Sequence, residues 1–286
     1  MGVVYPVHAA ATAAALSQRE RGHVNRRTAA IVSGKTLVII ATYNEAKNLP
    51  VLVPEIFRHL PEADLLVVDD DSPDGTGAWC DALAAAEPRL RCVHRRGKLG
   101  LGSAIVLGLK CAIERRYEFA INMDADLSHD PRYLPELVEG MNRAGPGAVD
   151  VMIGSRYVPG GAIEGWHWKR HVMSRAINLY SRALLGLRSK DCSGGYRCFR
   201  TSRLAQLDFD SIVSNGYSFH EELLWRLKQI GCRIDETPIT FVDRINGDSK
   251  INPHEAWDAL RILATLGSKN LLRRNGHTAD VPGKGN

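Results

Sequence analysis

Apolar and β-branched residues fall into five short runs from Lys35 onward: Thr36–Ala41, Asp64–Asp69, Leu90–His94, Glu118–Met123 and Val149–Gly154. Each has the length of a buried strand. Between them lie stretches of helical length, Leu49–Leu60, Gly77–Ala86, Leu101–Arg115 and Pro131–Asn142. This alternation is the pattern of βαβ units, whose right-handed crossovers put helices on both faces of one twisted, mainly parallel sheet. The expected fold class is α/β, Rossmann-like, in a single domain, with ligands gathering at the carboxyl ends of the strands.

The alternation stops after Arg156. The segment Trp166–Lys190 carries Met173, Ile177, Tyr180, Leu184 and Leu187 at helical spacing, with six Lys or Arg residues and no acid. It reads either as a helix docked on the sheet with a solvated basic face, or as one lying at an anionic membrane surface. Asp191–Arg197 reads as a loop entering a short strand, Gly216–Lys228 as a helix with Glu221 and Glu222 near its start, and Ile239–Arg244 as strand-like. A glycine-containing loop, 245–250, follows, and Pro253–Leu272 has the pattern of a last amphipathic helix.

Three carboxylate-rich segments directly follow strands: Tyr43-Asn44-Glu45, Asp69-Asp70-Asp71 and Asp124-Ala125-Asp126. Taken singly, each acid could make a turn or cap a helix. Together at one sheet edge they repel one another unless a cation or hydrogen-bond donors compensate, which implies a divalent metal. Oxygen ligands suit Mg2+ or Mn2+. Arg95–Ser103 joins cations to a glycine-rich turn opening a helix, which reads as an anion site or a solvated turn. Ile105 stands where a dinucleotide fingerprint needs its third glycine, and there is no Walker motif.

Composition narrows this picture. The 286 residues are 44% hydrophobic and 24% charged, with a net charge of +5, too mild to indicate nucleic-acid binding. Six cysteines are dispersed without a Cys-x-x-Cys pair, so reduced structural thiols are expected. No apolar run approaches the roughly 20 residues that span a bilayer, and no secretory leader is evident. Residues 1–34, Ala-rich with scattered arginines, read as a mobile extension, and 273–286 as a disordered tail.

The ordered series Ala41-Thr42-Tyr43-Asn44-Glu45, Val68–Thr76, Gly97–Gly102, Met123–His129, Gly154–Tyr157 and Asp243-Arg244 through Lys250 resembles glycosyltransferase family 2 with the GT-A fold. Within it the match is to dolichyl- or polyprenyl-phosphate mannose synthases and spans Lys35–Leu272, with 35–155 as the nucleotide-binding half and 156–272 as the acceptor- and membrane-facing half. The resemblance implies that Ala41, Tyr43, Glu45, Val68 and Asp70 form a guanine nucleoside pocket, with Asp124 and Ala125 near the ribose and diphosphate. It makes Asp126 and Ser128 metal ligands and Arg156, Arg170, Ser174, Arg244 and Lys250 phosphate contacts, with Asp126, Arg170, Arg244 and Lys250 carrying catalysis. Ala41 departs from the family's usual Pro, and His220 from its frequent Gln.

The activity so implied is metal-dependent inverting transfer of mannose from GDP-mannose to dolichyl or polyprenyl phosphate. The enzyme would sit peripherally on the cytosolic face of a membrane, with or without a separate anchoring subunit. A UDP-glucose or other nucleotide-sugar donor is the nearer alternative. A non-catalytic nucleotide-sugar-binding protein is the more distant one.

Overall fold

A computed structural model describes residues 35–142, 148–214, 216, 218–243 and 260–268. The first half alternates as its pattern predicts: β1 (Thr36–Thr42), α1 (Leu49–His59), β2 (Asp64–Asp69), α2 (Thr76–Ala84), β3 (Leu90–His94), α3 (Leu101–Glu114), β4 (Phe119–Asp124), α4 (Leu134–Met141) and β5 (Val151–Ser155). A short strand β6 (Ala162–Glu164) and a long helix α5 (Trp168–Leu185) follow. Then come β7 (Arg197–Arg200), α6 (Thr201–Leu204), α7 (Phe219–Gln229), β8 (Ile234–Pro238) and β9 (Thr240–Val242), and a last helical segment covers 260–268.

Seven strands make one sheet in the order β3-β2-β1-β4-β7-β5-β8, and β6 pairs with β9 in a separate two-stranded ribbon. The pairs among β3, β2, β1 and β4 are parallel, and so is β5 with β8. Strand β7 runs antiparallel between β4 and β5, which the strand pattern did not reveal. Strands buried on both faces explain the near-continuous apolar runs. Leu37, Ile39, Leu66 and Val68 face a core shared with α3, α6, α7, the end of α5 and Leu263 and Leu266. Fully buried Val38, Ile40, Leu65 and Val67 lie at the alternate strand positions and so point to the opposite face.

Two boundaries were unforeseen. Strand β8, at the sheet edge, carries the adjacent acids Asp235 and Glu236 and no apolar alternation, and three-residue β6 is too short to show a period. Helix α5 is capped before its start by His167, whose Nδ1 accepts from the Lys169 N–H at 3.4 Å, and after its end by Gly186 in the left-handed region at φ 64°. All six cysteines are free thiols. No described helix is long and apolar enough to cross a membrane. The expected extension 1–34, the loop 245–250 and the tail 273–286 lie outside the described residues.

Candidate active site

Register brings the acidic strand ends together. Ala41 pairs with Val68 of β2 on one side and with Asp124 of β4 on the other. Strand order reverses direction at the β1–β4 boundary, the crevice where open parallel sheets bind ligands. The Tyr43–Glu45, Asp70–Asp71 and Asp124–Asp126 segments therefore leave three neighbouring strands at one edge.

The loops here are tied to one another. The Asn44, Glu45 and Ala46 N–H groups donate to Ser72 Oγ (3.0 Å), Thr76 Oγ1 (2.9 Å) and Asp74 Oδ2 (3.0 Å), pinning the loop after β1 to the one after β2. Burial raises the Asp74 pKa, but bonds from Thr76 and from the Ala46 N–H outweigh it and hold the carboxyl below its usual range. Asn44, Asp71 and Leu127 adopt φ of 65°, 57° and 65°, so each of the three loops holds a non-glycine residue in the left-handed region. For bulky Leu127 that conformation is strained and must be imposed by its surroundings.

The acids then divide by role. Asp69 is buried and accepts from Thr42 Oγ1 (3.0 Å), Ser72 N–H (3.1 Å) and Ser72 Oγ (2.5 Å), so it is a loop-building residue. Asp70 accepts from Arg95 Nε at 2.5 Å and from the Leu99 N–H at 3.1 Å, while Arg95 also reaches Ser103 Oγ and the Gly100 carbonyl. Within the turn that reads as an anion site or a solvated turn, Arg95 braces Asp70. Gly97 and Gly100, both at φ 97°, let the backbone fold back for this. Lys98 remains at the surface, its ammonium 4.7 Å from the Tyr43 ring centroid. Val68 is fully buried and contributes packing beneath this pocket.

At the end of β4, the Asp124 N–H donates to His129 Nδ1 at 3.0 Å, and the buried His129 ring stacks on Tyr196 at 4.9 Å. Asp126 Oδ1 accepts from Ser128 N–H (3.1 Å) and Ser128 Oγ (2.5 Å), which orients its carboxylate. Half-exposed Asp124, half-buried Asp126 and the Ser128 hydroxyl offer oxygen ligands of the kind hard cations take, so the residue types fit Mg2+ or Mn2+. Gly195 closes this side: a Cβ there would lie 3.0 Å from His220 Nε2 and 3.4 Å from Asp124 Oδ1, so only glycine leaves the space open.

Of the predicted phosphate contacts, Arg156 directly follows β5, and Arg170 and Ser174 lie on α5. Arg156 is buried and bidentate to Asp191 at 2.7 Å for both Nε and Nη2, with Nη2 also 3.0 Å from Ser193 Oγ. Burial penalises both charges, but their attraction prevails, raising the Arg156 pKa and holding Asp191 below the usual carboxylate range. Arg170 lies 4.1 Å from the Trp166 ring centroid and donates to Asp243 Oδ1 at 2.7 Å. Ser174 Oγ accepts from the Tyr157 hydroxyl at 2.7 Å. Arg244 and Lys250 lie outside the described residues, although Asp243, just before them, is placed by its N–H donating to the Glu164 carbonyl at 2.9 Å.

Several structural ties around these residues were not legible in the sequence. Asn178 Oδ1 accepts from the Cys192 N–H at 2.6 Å and its Nδ2 donates to the Ser174 carbonyl at 2.9 Å, locking α5 to the loop that holds Arg156. Asp191, the first acid after a long basic segment, was the available signal. Glu221 and Glu222 do not cap α7. Glu222 accepts from the Ser214 N–H (2.9 Å) and Arg226 Nε (2.8 Å), whereas buried Glu221 is pushed up to about 7, chiefly by desolvation, and its Oε2 has no hydrogen-bond partner.

Residues 37–207 match the Glycosyl transferase family 2 profile. The chain belongs to glycosyl transferase family 2. It is 41% identical over 258 residues, 90% of this chain and 96% of the relative, to a polyprenol monophosphomannose synthase of Mycolicibacterium smegmatis. It is 44% identical over 218 residues, 76% of this chain and 88% of the relative, to an undecaprenyl-phosphate mannosyltransferase of Micrococcus luteus. Among solved structures, glucosyl-3-phosphoglycerate synthase of Mycobacterium tuberculosis, in complex with Mn2+, UDP and phosphoglyceric acid, superposes with a TM-score of 0.56 at 19% identity, covering 88% of this chain and 81% of its own. Mannosyl-3-phosphoglycerate synthase of Rubrobacter xylanophilus superposes with a TM-score of 0.54 at 18% identity, covering 88% and 78%. These likenesses bear out the GT-A fold of this family 2 member.

Proposed function

We propose that this family 2 enzyme transfers mannose from GDP-mannose to the phosphate of a long-chain polyprenol, with inversion at the anomeric carbon. The observation that carries the reading is its 41% identity, across 96% of the relative, to an enzyme named for polyprenol monophosphomannose synthesis. The second relative, named for mannosyl transfer to undecaprenyl phosphate, supports the same acceptor class.

The donor would enter the crevice at the β1–β4 boundary. Tyr43, Glu45 and Asp70 would hold the base, with Ala41 and Val68 lining its floor and Asp124 and Ala125 beside the ribose and diphosphate. Asp126 and Ser128 would hold the divalent ion, which supplies charge neutralisation for the departing nucleoside diphosphate. The acceptor phosphate would lie between Arg170 and Ser174, near Arg156, and Arg244 and Lys250 would close on the diphosphate.

The polyprenyl phosphate oxygen, already anionic near neutral pH, would form the new bond to C1 of mannose while the bond from C1 to the β-phosphate oxygen breaks. GDP leaves with that electron pair. No general base is required, and catalysis consists of positioning and charge neutralisation.

Access to a lipid acceptor is supported by α5. Trp168, Val172, Met173 and Leu179 are exposed along it, Leu179 at 65%, and Lys169, Arg175 and Arg182 are exposed with them. Apolar and cationic side chains on one exposed helix suit an anionic membrane surface. Of the predicted apolar face, Leu187 is buried and Ile177, Tyr180 and Leu184 are half-buried, while Met173 is exposed and joins this row.

The test of the site is Asp126→Ala assayed with radiolabelled GDP-mannose and a polyprenyl phosphate. Transfer should be abolished with circular dichroism and melting unchanged. Wild-type turnover by the folded variant would overturn the assignment of Asp126.

A further inference from the structure

A cluster of different chemistry lies outside the crevice, where α2 meets β3 at the sheet edge. Asp81, Cys92 and His94 place one carboxylate oxygen, one sulfur and one imidazole nitrogen within 4.8 Å of one another. Cys92 and His94 alternate on β3 and therefore share a face, and Asp81 comes from α2 opposite. Cys80, beside Asp81 and fully buried, sets its thiol against that of Cys92. Gly77, one turn earlier on α2, makes room for the imidazole: a Cβ there would lie 2.9 Å from His94 Cε1.

We propose that Asp81, Cys92 and His94 form a second metal site that takes Zn2+ or a similarly thiophilic divalent ion, with solvent completing the coordination. Thiolate sulfur, imidazole nitrogen and carboxylate oxygen are each ligands Zn2+ takes, and this mixed set differs from the oxygen ligands at Asp126 and Ser128. In the present arrangement His94 Nε2 and Asp81 Oδ1 are hydrogen-bonded at 2.9 Å. A bound ion replaces that bond, and the Cys92 thiol proton goes to solvent as the thiolate ligates.

The other imidazole nitrogen, Nδ1, lies 3.9 Å from Asp69 Oδ2. Carboxylates in that place orient metal-bound histidines. Asp69 pairs with His94 in the β2–β3 register, and the next residues, Asp70 and Arg95, form the ion pair that braces the donor side of the crevice. An ion here therefore fastens α2 to the end of β3 directly behind that brace.

The site is tested by titrating the full-length protein, under reducing conditions, with CoCl2 alone and then competing with ZnCl2. Co2+ bound here gives a near-ultraviolet thiolate-to-cobalt charge-transfer band that Zn2+ abolishes, whereas Co2+ at Asp126 gives none. Cys92→Ser should remove the band, and His94→Ala should weaken Zn2+ binding by about tenfold or more. Should Cys92→Ser fail to fold, protection of Cys92 from a thiol reagent by Zn2+ in the wild type, lost in His94→Ala, gives the same information. No band in the wild type, an undiminished band in folded Cys92→Ser, or Zn2+ affinity unaltered in His94→Ala would overturn the proposal.

Discussion

Arg156 and Asp191, 35 residues apart in sequence, form a buried bidentate ion pair whose carboxylate also accepts from the Arg156 N–H at 3.0 Å and the Gly194 N–H at 3.0 Å. The pair joins the end of β5 to the loop before β7, and Asn178 ties α5 to the same loop. Removing one member leaves the other charged and buried, which costs about 3–5 kcal/mol. Asp191→Ala should therefore lose stability on that scale in urea unfolding, well beyond the effect of replacing an exposed acid such as Asp71. The Asp191 carboxyl lies below its usual pKa, so this stability is present above the unfolded value of about 3.9 and is lost as pH falls through the folded value.

Arg95 holds Asp70 and the turn at Leu99–Gly100 in one arrangement. Arg95→Ala should raise the donor KM by about tenfold or more while changing kcat less, because it loosens a binding wall away from the reacting atoms. Arg95→Lys should recover only part of the loss, since one ammonium cannot reproduce the guanidinium's reach to Asp70, Ser103 and Gly100. Steady-state kinetics with varied nucleotide sugar provides the check, and an unchanged KM would contradict this role.

Glu221 gives a pH signature. Burial raises its pKa from 4.5 to about 7, so the folded state binds the proton more tightly than the unfolded state. Its contribution is fully present below about pH 4 and is lost as pH rises through about 7. The upper bound is on the order of 3 kcal/mol, at about 1.4 kcal/mol per pKa unit. Glu221→Gln should flatten the decline in stability between pH 5 and 8, measured by urea unfolding across that range.

For α5, reversing the charge at Arg175 and Arg182 removes two cations from the exposed helix. At about 1 kcal/mol per cation near an anionic surface, affinity should fall by roughly 30-fold or more. Trp168→Ala with Leu179→Ser should weaken binding even to neutral vesicles, because those side chains act by apolar burial. Cosedimentation with vesicles of defined composition measures both effects, and unchanged binding would remove α5 from the membrane contact.

Much of this architecture was legible because parallel strands buried on both faces leave unmistakable apolar runs, and because acids placed just beyond them must share an edge once the strands align. Strand β7 was harder: its antiparallel insertion between β4 and β5 is decided by tertiary pairing, and its four residues include Arg197, a fully buried cation whose type belongs at the surface. The motif series singled out Asp70 and Arg156, but the pairings Asp70–Arg95, Arg156–Asp191 and Arg170–Asp243 join residues 25, 35 and 73 apart, beyond any local period. Local pattern put Glu221 and Glu222 near a helix start, as found, but could not show that the fold buries them.

The central claim is most directly tested by incubating the purified protein with Mg2+ or Mn2+, a short polyprenyl phosphate and, in parallel, GDP-mannose, UDP-glucose and other nucleotide sugars, reading product mass. The account predicts a polyprenyl phosphate carrying one hexose, formed with GDP-mannose and released with GDP. Product formed only with another donor, or nucleotide bound with no product from any donor, would contradict it.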